Sequence, residues 1–180
     1  MRKTNTILVL IIMLLFVDHV IFGSLHSLGT GASVIRPFAQ IMLGLVLIHA
    51  IISLIVTVKA EKAGFKTGAR YNKENREFWN RRVTGVLIIL FGITHAYLMA
   101  RNERGVPRIA SAPRIFQLTT PLLIISIYFH ILSNIRPLLI SLGIRNIDKK
   151  EKIIRAVLTI LLLFALISVS TRVFSHGGGH

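Results

Sequence analysis

Cysteine is absent from all 180 residues. Disulfides, thiolate-held iron–sulfur clusters and haem attached through a Cys-x-x-Cys-His segment are therefore excluded. Any redox metal must be held by other side chains. Acidic residues are scarce as well, with 7 Asp+Glu against 22 Lys+Arg and a formal charge of +15. Charged residues make up only 16% of the chain, below the roughly 25% of soluble domains. A strong positive balance is the footprint of nucleic-acid binders, but 53% hydrophobic residues and a mean hydropathy of +0.67 exclude that class. The two extremes agree if the apolar residues sit in lipid and the basic ones at the membrane surfaces.

What is present in abundance is long apolar runs. A membrane-crossing helix needs about 20 mostly apolar residues, and five stretches meet this, at about 7–28, 37–58, 83–100, 117–142 and 153–174. No loop between them is long enough to bury a core, so residues 1–180 are expected to form a single transmembrane domain. Met1-Arg2-Lys3 ahead of an apolar run also resembles a secretory signal. No Ala-x-Ala site follows, so an uncleaved first helix is expected. Basic residues set the orientation. Segments 1–6, 59–82 and 143–155 hold 15 of the 22 Lys+Arg, which places the N-terminus in the cytoplasm and the C-terminus outside a cell or inner membrane.

Four histidines lie in the spans, one on each of the first four: His19, His49, His95 and His130. Ionisable groups within a membrane are costly and face a bundle interior or a functional site. At 1.5 Å per residue, His19 and His95 lie about 18 Å and 18–20 Å from the inner edge, and His49 and His130 about 14 Å and 15–18 Å. The depths sort loosely into an outer pair, His19 with His95, and an inner pair, His49 with His130. Two imidazoles facing one another across a bundle suit a haem b, whose two axial positions they fill. The expectation is an all-α integral membrane protein of five helices, the first four forming a bundle around two b haems.

Neighbouring residues suit this reading. Gly85 and Gly92 share a stripe with His95, opening a groove for a flat macrocycle. Ser53 and Ser133 follow His49 and His130 and offer hydroxyls to a ring nitrogen or a propionate. Small and polar residues also mediate helix packing, so each has that second reading. Arg136 is the first candidate to pair with a propionate at the inner end, with Arg81 and Arg82 behind it. His26, seven residues after His19, is the rival ligand on helix 1. Asp18, the one acid within the expected spans, is a candidate proton group for a quinone, with an interfacial position as the alternative.

Four segments carry a resemblance: LLFVDHVIF around His19, LVLIHAIISLIVTVKAEKAG around His49, RRVTGVLIILFGITHAY around His95 and YFHILSNIRPLLISLGIRN around His130. Together they resemble the dihaem cytochrome b membrane subunit of succinate:quinone and fumarate:quinone oxidoreductases, in its single-chain five-helix form. The resemblance implies that His19 and His95 bind the outer haem iron and His49 and His130 the inner one. It also implies a quinone, usually menaquinone, and flavoprotein and iron–sulfur subunits docked on the cytoplasmic side. The chain itself would carry electrons in respiration without catalytic residues of its own. Members of this form carry a longer polar segment before helix 1, and this departure keeps open an anchor for a different soluble reductase. The remaining alternative is a histidine-lined metal transporter.

Overall fold

A computed structural model describes residues 2–30, 36–67, 75–102 and 118–177. All its regular structure is helical: α1 Arg2–Ser27, α2 Arg36–Thr67, α3 Asn75–Asn102, α4 Thr119–Ser141 and α5 Ile147–Gly177. All five are long and apolar enough to cross a membrane. The protein is an all-α integral membrane protein. Residues 68–74 of the basic loop and 103–117 of the expected outer loop lie outside the described residues.

The helices outrun the apolar stretches. α2 continues nine residues past Val58, through Lys59-Ala60-Glu61-Lys62-Ala63, because these residues are strong helix formers whatever their polarity. α5 starts six residues ahead of Ile153, with Asp148 in its first turn where the helix dipole favours a negative charge. Hydropathy marks the lipid-facing part of a helix and says little about where its backbone stops.

Two glycines end helices. After α1, Gly29 at φ +79 lets its own N–H reach His26 O and the Thr30 N–H reach Leu25 O. After α4, Gly143 at φ +68 does the same with Ile140 O, while Ile144 N–H reaches Leu139 O. Each is a Schellman turn, which satisfies carbonyls that the helix end would otherwise orphan. Ile144 then packs on the core that contains Leu139. A Cβ at position 143 is strained by its backbone, not by its neighbours, since open space surrounds it. Gly143→Ala is expected to cost about 1–2 kcal/mol, read as a lower unfolding temperature in detergent.

The helices pack as an open arc in the order α2, α1, α5, α4, α3. α4 lies between α3 and α5, α1 joins α5 to α2, and α2 scarcely touches α3. The dry core sits where α1, α4 and α5 meet, built from Phe16, Val20, Ile135, Leu139, Leu158, Leu162 and Ala165. Ala165 and the fully buried Ser168 keep α5 slim enough for close approach. The hydroxyls there are satisfied within their own helices, Ser168 donating to Phe164 O and Ser126 to Leu122 O, as a medium without water requires.

Pro137 breaks one link of α4. It has no N–H to give the carbonyl four residues back, that of Ser133. Arg81 Nη1 from α3 donates to that carbonyl at 3.4 Å. The arginine thus occupies the gap the proline leaves.

Candidate functional site

The arc lines one continuous, partly open cavity of about 2060 Å³, walled by side chains from all five helices. A pocket for a single small molecule or cofactor measures about 300–1,000 Å³, so this volume suits two large groups. His19, His49, His95 and His130 all reach its wall.

At one level, His19 and His95 face each other with ring centres 6.3 Å apart and planes at 81°. An imidazole nitrogen binds a metal at about 2 Å and lies roughly 1 Å from its ring centre, so two rings flanking one metal have centres roughly 6 Å apart. The observed spacing matches. His95 Nδ1 is bonded to Thr120 Oγ1 at 3.0 Å, leaving Nε2 for other use. His19 Nδ1 is buried and has no hydrogen-bond partner among the described residues.

At the other level, the tautomers are decided by the partners. Thr84 directs its one hydroxyl proton to carbonyls of its own helix, Asn80 O at 2.7 Å and Arg81 O at 3.3 Å. Its oxygen therefore accepts from His130 Nδ1–H, 3.0 Å away. His49 Nδ1–H donates to Asn5 Oδ1 at 3.1 Å. Both rings keep the Nε2 lone pair unprotonated, the form that binds a metal. His49 lies close enough to His130 for their charges to interact.

The same bonds measure the distance between levels. Asn5, beside His49, precedes His19 by 14 residues, and Thr84, beside His130, precedes His95 by 11. At 1.5 Å per residue the levels lie roughly 16–21 Å apart along the bundle. The span boundaries implied only a few ångströms. The shortfall arises because Val58 and Leu142 were set level with Ile7 and Val83, whereas these bonds put His49 level with Asn5 and His130 level with Thr84.

Thr120, Thr84 and Asn5 brace the site, and each stands on a helix whose own histidine belongs to the other level. Asn5 and Thr84 lie on the same face as His19 and His95, at i, i+14 and i, i+11, so helical periodicity carried their signal. Asn5 was hidden because residues 1–6 were counted as a polar segment before the helix. Thr120 is about 80° off the face of His130, and nothing in the pattern pointed to it.

The other expected residues divide. Gly92 lines the cavity, and a Cβ there would meet only Leu123 Cδ1 at 4.0 Å. Gly85 also lines it, and a Cβ there would lie in ordinary contact with His130 Cε1 at 3.5 Å. Ser53 is on the wall and accepts from Arg82 Nη1 at 2.8 Å. Ser133 is off the wall and donates to Phe129 O. Arg136 is also off the wall. It is drawn to α5 by Asp148 at 2.9 Å and Glu151 at 3.1 Å, and the arginine on the cavity is Arg82. Asp18 is half-buried and off the wall, whereas His26 is on it, beyond His19.

Among the described residues, no three His, Asp or Glu side chains gather as a metal-ion site; the histidines stand in twos. No protein-family model matches the chain, and neither a curated protein nor a solved structure matches it significantly.

Proposed function

We propose that this protein is a cytochrome b membrane subunit that holds two b haems and carries electrons through the bilayer. The observation that carries the reading is the placement of all four intramembrane histidines on one cavity, at two levels, with Nδ1 bonded on three of them. His19 and His95 would hold one haem and His49 and His130 the other. A haem iron held by two imidazoles exchanges single electrons and has no open position for oxygen or substrate.

The chain's residues supply the rest. Thr84, Thr120 and Asn5 fix the rings and keep Nε2 aimed inward, as partners of metal-bound histidines do. Gly85 and Gly92 keep Cβ atoms out of the space beside the rings. The mainly apolar walls suit the flat, apolar faces of a haem. Thr84→Val is expected to weaken haem retention at the His130 level by about 10–100-fold, seen as selective loss of one haem during washing in detergent.

The resemblance to succinate:quinone and fumarate:quinone oxidoreductase anchors supports a quinone, of the menaquinone type, as the membrane-side partner. It also supports flavoprotein and iron–sulfur subunits on the cytoplasmic side. Exposed Lys59, Lys62, Lys149, Lys150 and Lys152 lie towards the end of the bundle where α2 stops and α5 starts. That surface suits an acidic docking partner or anionic lipid, and the positive-inside rule puts it in the cytoplasm. Affinity purification from native membranes tests the partner: a co-purifying flavoprotein with succinate or fumarate activity is expected, and a different reductase in its place would contradict this assignment. A metal-conducting path has less support, because the described residues hold no cluster of ligands and Asp18 is off the wall.

A further inference from the structure

Of the arginines at the His49–His130 end of the bundle, three are occupied within the protein. Arg81 serves the Ser133 carbonyl and lies 4.0 Å from Glu77. Arg136 holds Asp148 and Glu151, and Arg155 holds Glu151. Arg82 differs. It reaches the cavity wall, donates Nη1 to Ser53 Oγ at 2.8 Å and lays its guanidinium over the Phe78 ring at 4.7 Å. It has no carboxylate partner among the described residues, and its Nε is buried without any hydrogen bond. A guanidinium presents five donors in a planar fork that matches a carboxylate. A cation at the inner end of a membrane bundle is held by an anion, by backbone carbonyls or by water, and the cavity that Arg82 faces is lined mainly by apolar side chains.

Position narrows the choice of anion. Arg82 precedes Thr84 by two residues, so it stands about 3 Å along the axis from the group that orients His130. Arg82, His49 and His130 all line the same cavity. An anion bound by Arg82 and Ser53 therefore lies beside whatever occupies the space between those two rings. We infer that Arg82 and Ser53 form a carboxylate-binding subsite for the acidic edge of the group held by His49 and His130, which fixes which way round that group enters. This rests on the haem reading, since haem b carries two carboxylates on one edge. Arg82 is thus a positioning residue, and the role assigned beforehand to Arg136 passes to it.

The test uses chains carrying His95→Ala, which leaves the His49–His130 level as the one complete pair. Haem b and its dimethyl ester, whose edge is neutral, are titrated separately and followed by absorbance. With Arg82 present the ester is expected to bind about 10- to 100-fold more weakly. Arg82→Gln should abolish that preference, and Arg82→Lys should retain part of it. Equal affinity for the two forms with Arg82 present overturns the subsite while leaving the haem reading intact, and so does an undiminished preference in Arg82→Gln. Anionic phospholipid that co-purifies only when Arg82 is present, together with no preference for the free acid, assigns the arginine to a headgroup and overturns it too. A chain that takes up neither form overturns the subsite and the haem reading together.

Discussion

Replacing His95 with Ala is expected to remove one of the two proposed low-spin b-type haem signals and to halve the haem bound per chain. His19→Ala is expected to give the same residual spectrum, because the two ring centres lie only 6.3 Å apart. His49→Ala and His130→Ala should remove the other signal and leave a second, different spectrum common to those two. The separation of roughly 16–21 Å between levels leaves no histidine able to substitute across them. The nearest spare imidazole is His26, on the cavity wall seven residues beyond His19. That is about 10 Å, too far to bind the same iron without moving α1. Reduced-minus-oxidised spectra of the four variants check the pairing. A residual spectrum shared by His95→Ala and His49→Ala would contradict it.

Glu151→Ala is the most damaging change expected away from the histidines. The Glu151 side chain is only 12% exposed and binds Arg155 at 2.6 Å and Arg136 at 3.1 Å, tying α5 to α4. Removing one partner of a buried pair costs about 3–5 kcal/mol, chiefly because the remaining charge is stranded. Here the arginines are 43% and 56% exposed, so the loss should fall below that range, with solvent and headgroups taking up part of their charge. Thermal unfolding in detergent reads this directly. Glu151 is off the cavity wall, so the fraction that stays folded should keep both haem spectra.

Much of the architecture was legible because lipid imposes simple demands. Five apolar runs became five helices, and one histidine on each of the first four reached a common cavity. Side-chain direction was harder to read. Arg136, six residues after His130, appeared well placed for an acidic edge, but Asp148 and Glu151 arrive from α5 and take it. Pairing across elements is invisible to spacing along one. Gly85 is on the stripe expected of a small residue, and His130 from the next helix packs beside it. The depth argument sorted the histidines into two pairs but compressed the distance between them, since it set the ends of four apolar runs at one level, whereas His49 and His130 lie level with Asn5 and Thr84 near the starts of α1 and α3. The gap between α2 and α3, which leaves room for the cavity, follows from how α1, α4 and α5 pack and has no signature in either helix alone.

The most direct measurement is haem content with the optical spectrum of the purified full-length chain. Two b haems per chain are expected, both low-spin and both unreactive towards carbon monoxide, because imidazoles fill each axial position. A chain that binds no haem, or one whose haem takes up carbon monoxide stoichiometrically, would contradict the account.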